Sequence, residues 1–481
     1  MNDPVPFIRT GDDGASLVVD PKAREVLAKI DKPLVVASVV GSYRTGKSFL
    51  LNLLMKRTDG FPLGSTIEAK TKGIWMWAGE FPGDPNRALV LLDTEGLSDP
   101  EKGDKTHDTQ IFTLAILLSS VLIYNTKGVI DASSLDGLQL ATELTKHVSS
   151  KATGDGDDET GEDFALFFPT LVWAIRDHHL SVEVDGEVIS ANQYLEHCLK
   201  QKRGQSAAVH QYNGLRRTIR AFFQNRHCFL FPSPCGQESL NSLDHMTLEE
   251  LDPAFIQAGQ TFTDFVSGQG PTKRVRGKAI TGSMWLTLAE QYVEAIVTGP
   301  INIGNAYDCM IRMENTKSVQ TAIQSYKAEM DKLQLPQEIE ALNAANSKAL
   351  AAANKILLNT AVNIQEHREY SDNLNKELEN LFSSLLEQNE NCSMERCTDM
   401  LKALYQGIED RVALGEFTKP GGHQDYKKEV SLVLTIPIFK LPVSVQVERM
   451  EGEYTNKPDK EKGPRALDAL FFFKSEKVSS E

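Results

Sequence analysis

Residues 1 to about 300 alternate short apolar runs with segments whose apolar residues recur at helical spacing. Leu34 to Val40 (LVVASVV) is β-branched and almost wholly apolar, the composition of a strand buried on both faces of a parallel sheet. Ala88 to Leu92 (ALVLL) is a second such run, Val121 to Tyr124 and Thr170 to Ala174 are a third and fourth, and Cys228 to Phe231 is a fifth. Strands separated by helical patterns predict βαβ units, hence a mostly parallel sheet with helices on both faces.

From about Ile303 the pattern changes. Glu314 to Leu414 is rich in Ala, Leu, Glu, Lys, Asn and Gln at helical spacing, interrupted once by Pro336, which predicts several long helices in a bundle or stalk. Ala349 to Ala353 (ALAAA) is a narrow helix face suited to close packing within the chain. A breaker cluster follows at Lys419 to His423 (KPGGH). Glu429 to Val447 (EVSLVLTIPIFKLPVSVQV) nearly alternates and holds two prolines, which predicts a hairpin or edge strands. Ser149 to Asp163 is acidic, Gly-rich and aperiodic, and reads as a solvated insert. The expected organisation is therefore an α/β domain over residues 1–300, an all-α domain over 301–418 and a short β-like tail over 419–481.

Composition narrows the class. A chain of 481 residues exceeds one ordinary core, and 41% hydrophobic with 24% charged residues is typical of a globular protein. The net charge of −15 argues against charge-driven nucleic-acid binding, which needs clustered Lys and Arg. The six cysteines form no CxxC pair, and the start MNDPVPFIRT is neither basic nor apolar, so reduced thiols and a cytoplasmic location are expected. The apolar stretch Ile111 to Tyr124 is short against the roughly 20 residues of a bilayer span. No prenylation box closes the chain, so membrane association is expected to be peripheral at most.

Gly41-Ser42-Tyr43-Arg44-Thr45-Gly46-Lys47-Ser48 fits GxxxxGK[ST], directly after the strand Leu34 to Val40 and before the amphipathic run Phe49 to Lys56. Gly41 and Gly46 let the backbone curl so that N–H groups point inward, and the helix start adds partial positive charge. Lys47 is expected on the β- and γ-phosphates and the Ser48 hydroxyl on Mg²⁺. Further along, ALVLL runs into Asp93-Thr94-Glu95-Gly96. An Asp at a strand's carboxyl end lies at the ligand crevice of an open α/β sheet. Asp93 is expected to hold Mg²⁺ through water, and the Gly96 N–H to meet the γ-phosphate. Thr58, Thr66 and Thr71 all lie between the two motifs, and spacing does not choose a switch threonine among them.

The base is less direct. Within residues 1–300 no NKxD is present: Asn125-Thr-Lys-Gly128 lacks the Asp, as does Asn375-Lys-Glu-Leu378 further on, and Asn456-Lys457-Pro458-Asp459 lies in the tail, far from the α/β domain. Thr170 to Ala174 leads instead into Arg176-Asp177. Asp177 could accept hydrogen bonds from guanine N1–H and the exocyclic amine, a pairing adenine cannot offer.

Together these motifs resemble the guanylate-binding proteins, interferon-inducible large GTPases of the dynamin superfamily. GSYRTGKSFL, STIEAKTKGIWMW, LVLLDTEGLSDPEKGD, LLSSVLIYN and FFPTLVWAIRD are similar to that family's signatures and follow its order, as does LDPAF at Leu251 to Phe255. The resemblance covers residues 5 to 330, and 330 to 415 in character. It implies a P-loop GTPase domain hydrolysing GTP to GDP, or on to GMP, with Mg²⁺. It further implies homodimers through these domains, hetero-oligomers with related GTPases, and a part in innate defence. Residue by residue, it makes Arg44 an arginine finger supplied in cis and Thr71 the switch threonine on Mg²⁺. Glu95 would orient the attacking water indirectly, and Arg176 and Asp177 would bind guanine. Leu63, Gly64 and Ser65 would belong to a phosphate cap, Asp93 to Leu97 would line the γ-phosphate, and Asp108 would lie near the lower phosphates.

The sequence departs from the family at two places. Ala69-Lys70 stands where the family commonly has Ser-His, whose serine helps position the attacking water. The tail matches no family element. A nucleotide-gated dimerising scaffold with little turnover is the competing reading. Arg216, Arg217 and Arg220 are read as a solvated helix face, with pairing across a dimer or over the nucleotide as the alternative.

Overall fold

The five strands expected from apolar runs all form, and they lie side by side and parallel. The computed structural model describes every residue except 12–15, 59, 64–70, 98–104, 139–147, 150–167, 237, 241–242, 244, 276, 299–300 and 436–481. The main sheet contains β1 (Val5–Thr10), β2 (Leu17–Val19), β3 (Leu34–Gly41), β4 (Ile74–Glu80), β5 (Ala88–Thr94), β6 (Val121–Lys127), β7 (Thr170–Arg176) and β8 (Arg226–Leu230). Their order is β8-β7-β6-β3-β5-β4-β1-β2. β8 to β5 run parallel, whereas β4, β1 and β2 add an antiparallel edge. The apolar-run criterion misses that edge: β4 alternates buried with half-buried positions, as a half-covered strand does.

Every residue of β3 is buried, and its two faces meet different helices. Val35, Ala37 and Val39 share a core cluster with Phe49, Leu50, Phe255 and Phe262, drawn from helices Lys47–Leu54 and Pro253–Gln269. Burying each such large side chain stabilises the fold by about 1.5–3 kcal/mol. On the other face the Ser38 hydroxyl donates to the Ala115 carbonyl in helix Lys105–Leu118. Trp285 of helix Gly282–Thr298 donates to the Leu118 carbonyl at 2.8 Å and stacks on Phe7. Register then sets the site. Val39 pairs with Asp93, and Gly41 with Asn125, so the loop after β3 and the ends of β5 and β6 lie at one height. That is the carboxyl end of the parallel strands, where open α/β sheets bind ligands.

The chain divides into two compact units, Met1–Met310 and Ile311–Glu481. The second is helical, with helices Ile339–Thr360, Arg368–Ala413 and Gly422–Thr435 following Ile303–Met330. Ala349 and Ala353 are buried in its core with Val319, Ala322, Tyr326, Leu374 and Leu378, so the small-residue face packs within the chain. Two amides fix its connections. Asn315 exchanges hydrogen bonds with the Val362 backbone, and Asn389 does the same with Gln337.

The strand-like reading of Glu429 to Val447 is corrected at its start. Glu429 to Thr435 are the end of helix Gly422–Thr435. Tyr426, Glu429 and Val430 fall on one half-buried face at helical spacing. Tyr426 hydrogen-bonds Tyr405 at 2.6 Å, and Glu429 pairs with Arg411 of helix Arg368–Ala413. These tertiary partners override the β propensity of a short β-branched run. The remainder of the tail and the insert 150–163 lie outside the described residues. Among the described residues no helix is long and apolar enough to cross a membrane.

Candidate functional site

The loop Gly41 to Ser48 is shaped by three residues in left-handed or related backbone. Gly41 has φ +150°, and a Cβ there would come 2.2 Å from the Asn125 carbonyl oxygen, so only glycine fits. Gly46, at φ +79°, caps the N-terminus of helix Lys47–Leu54. Arg44 sits between them at φ +59° with its side chain exposed.

Backbone and side-chain bonds tie the loop to the end of β5. The Tyr43 N–H donates to Leu97 O at 3.2 Å, and the Leu97 N–H donates to Gly41 O at 3.1 Å. Gly96 lies so close that a Cβ would reach 2.6 Å from Tyr43 Cα. Within the loop, Thr45 Oγ1 donates to Ser42 O at 2.8 Å. Thr94 Oγ1 anchors the motif below by donating to Val39 O at 2.7 Å. The hydroxyls of Thr45 and Thr94 thus brace the loop, and Ser42 and Gly46 are exposed on the rim.

Lys47 is buried, and its ammonium donates to Ser42 O at 3.1 Å. Burial lowers its pKa to about 8, against the opposing pull of the Asp93 and Glu95 carboxylates. A bound phosphate chain would supply the anionic partner this ammonium needs. Asp93 is 1% exposed, and burial raises its carboxyl above the usual range despite the Ser48 bond, Lys47 and Thr71. Ser48 Oγ donates to Asp93 Oδ2 at 2.7 Å and Thr71 Oγ1 donates to the same atom at 3.0 Å. Asp93 Oδ1 is buried without a hydrogen-bond partner. Two hydroxyls and an orphaned carboxylate oxygen make a hard-oxygen set of the kind Mg²⁺ takes together with waters and phosphate. Thr58 is excluded as the equivalent of Thr71, since it lies at the far end of helix Lys47–Leu54, where its carbonyl accepts from Asn52. Thr66, Ala69 and Lys70 lie outside the described residues, as do Gly64 and Ser65. Leu63 packs against the core cluster.

Glu95 is almost fully buried. Its Oε2 accepts from the Gly73 N–H at 2.9 Å, its own N–H donates to Gly73 O at 2.9 Å, and Oε1 meets His107 Nε2. Asp108 follows His107 in the first turn of helix Lys105–Leu118.

Arg176 and Asp177 part company. Arg176 is 4% exposed and lies behind the loop, donating to Gly46 O at 3.2 Å. Its guanidinium faces Phe49, Phe231 and Phe255 with ring centroids 6.0, 5.5 and 5.2 Å away. Burial lowers its pKa to about 10, opposed by Asp177. Asp177, at φ +54°, turns outward, pairing with Lys127 at 3.3 Å and accepting from Ser233 Oγ at 3.2 Å.

Sequence reasoning passed over Asn125 because it lacks the NKxD context. It is wholly buried, and its Nδ2 donates to Thr45 O at 2.8 Å. Asn125→Ala leaves that loop carbonyl without a donor. The expected loss is about 1–3 kcal/mol of stability, read by urea unfolding, together with weaker phosphate affinity. His107 carried no signal beyond its place beside Asp108. Of the basic helix Ala207–Phe222, Arg216 is engaged within the chain, donating to Cys198 O and Tyr212 O and covering the Tyr212 ring. Arg220 pairs with Glu196 at 3.9 Å, and Arg217 is exposed.

Comparison with known proteins adds to this geometry. Residues 14–274 match the family described as Guanylate-binding protein, N-terminal domain. Residues 276–435 match Guanylate-binding protein, C-terminal domain. Guanylate-binding protein 1 of Chlorocebus aethiops is 38% identical over 425 residues, 86% of this chain and 72% of the relative. Guanylate-binding protein 3 of Homo sapiens is 38% identical over 412 residues, 85% and 69% of the two chains. Guanylate-binding protein 2 of Mus musculus is 37% identical over 433 residues, 88% and 72%.

Proposed function

This chain belongs to the guanylate-binding protein family, and from that premise we propose that it binds GTP with Mg²⁺ and hydrolyses it to GDP. What carries the reading is the convergence of Lys47, Ser48, Thr71 and Asp93 beneath a glycine-shaped loop at the carboxyl end of the parallel strands. Loop N–H groups and Lys47 hold the phosphates. Ser48, Thr71 and Asp93 would hold the metal, which when bound neutralises charge on the β- and γ-phosphates. Arg44, exposed at the loop's apex, reaches toward charge that develops as the γ-phosphate leaves. Glu95 orients the attacking water indirectly. The water oxygen bonds the γ-phosphorus, and the bond to the β,γ-bridging oxygen breaks with its electron pair going to GDP. One water proton stays on the phosphate and the other reaches solvent. Asp177 reads guanine. Cleavage on to GMP belongs to this reading as a second step near Asp108.

Turnover is proposed to be stimulated by pairing of nucleotide-loaded domains, in homodimers and in hetero-oligomers with relatives, in the cytoplasm and in innate defence. The test is GTP turnover at several protein concentrations, with GDP and GMP separated. Turnover per molecule that rises with concentration supports the dimer-stimulated enzyme. Tight GTP binding without turnover at any concentration replaces it with a nucleotide-gated scaffold.

A further inference from the structure

Glu95 and His107 come from different elements and meet inside the site. Glu95 follows β5, and His107 lies in the first turn of helix Lys105–Leu118. The side chains are 2% and 21% exposed respectively. A buried carboxylate is costly unless each oxygen has a donor. Here the Gly73 N–H serves Oε2 at 2.9 Å, and His107 Nε2 lies against Oε1 in ion-pair contact rather than in hydrogen-bond geometry. The two contacts are made to different oxygens, so together they restrain the rotation of the carboxylate as well as its position. Lys47 supplies a charge that favours the anion without fixing its direction. The helix does not account for this histidine. An imidazolium in a first turn is disfavoured by the helix dipole, and a neutral one gains nothing from it.

We propose that His107 is a positioning residue for hydrolysis. The imidazole, lying against Oε1, holds Glu95 with the carboxylate plane turned so that it can help to orient the attacking water. His107 itself takes no proton from the reaction. The inference rests on the hydrolytic reading of the site. Small errors in the aim of a group that orients a nucleophile cost rate without costing ground-state binding, and a displacement of about 1 Å can cost a hundredfold.

The test compares wild type, His107→Leu and His107→Gln. Leucine keeps bulk and removes the polar contact, whereas a glutamine amide can place an N–H near the position of Nε2. Two quantities are read: kcat for GTP, and the Kd of a fluorescent non-hydrolysable GTP analogue. The expected result is a fall in kcat of about 10- to 100-fold for His107→Leu, with Kd within about twofold of wild type and most of the turnover regained in His107→Gln. Equal turnover in all three proteins overturns the inference. So does an equal loss in both variants, or a loss that appears in Kd rather than kcat, because each shows a structural role. Wild-type protein that binds the analogue but turns over no GTP overturns the hydrolytic reading first, and the inference with it.

Discussion

Arg44→Ala is expected to lower GTP turnover by about a thousandfold or more while leaving nucleotide affinity close to wild type. The guanidinium is exposed at the apex of the loop, its carbon 5.2 Å from the Tyr43 ring centroid. The bonds that hold the loop to Leu97, Asn125 and Arg176 are made by Gly41, Tyr43, Thr45 and Gly46. The Arg44 backbone is left-handed at φ +59°, a conformation that costs alanine about as much as arginine. Alanine keeps those bonds and the left-handed backbone and removes the guanidinium. That charge matters most where negative charge builds on the leaving oxygens, so its loss falls on the transition state rather than on the bound ground state. Single-turnover hydrolysis, with analogue binding measured in parallel, separates the two. A variant that turns over GTP at the wild-type rate would remove Arg44 from the chemistry. A variant that loses binding and rate equally would make it a phosphate ligand.

The site is legible in the sequence where a motif and its context coincide. Gly41 to Ser48 and Asp93 to Gly96 each follow a run that is apolar because the strand is covered on both faces, and β3 and β5 then pair in register. Other features depend on contacts that no local pattern encodes. The Arg176-Asp177 pair reads as one guanine-binding unit, yet the chain passes from the last residue of β7 into left-handed backbone at Asp177. That reversal sends one side chain into an aromatic cage under the loop and the other toward solvent. His107 is one of ten histidines, and its partner lies on another element. The last helix was hidden for a similar reason: its β-branched run is held helical by Tyr405 and Arg411. β4 escaped because a half-covered strand alternates, and short alternation is a weak signal, whereas β1 buries only the adjacent pair Phe7 and Ile8.

The same reversal at Asp177 gives the second large effect. Asp177→Asn is expected to weaken GTP by about 3–4 kcal/mol, a hundred- to thousandfold, and to improve binding of xanthosine triphosphate relative to wild type. Guanine offers two donors side by side, N1–H and the exocyclic amine, and an ionised carboxylate accepts both. Xanthine keeps N1–H but carries a carbonyl where guanine has the amine. An asparagine accepts with one atom and donates with the other, which fits xanthine and opposes an amine to guanine. Asp177 suits such a reader because its carboxylate is partly open to solvent and held from the side by Lys127 at 3.3 Å and Ser233 at 3.2 Å. An ion pair with so exposed a lysine is worth little, about 0–1 kcal/mol, so a base can replace it at low cost. Asparagine also tolerates the left-handed backbone at least as well as aspartate, so the substitution leaves the fold intact. Competition of GTP, ATP and xanthosine triphosphate against a fluorescent guanine nucleotide measures the switch. An unchanged preference for GTP in the variant would place base recognition elsewhere and leave Asp177 as a surface partner of Lys127.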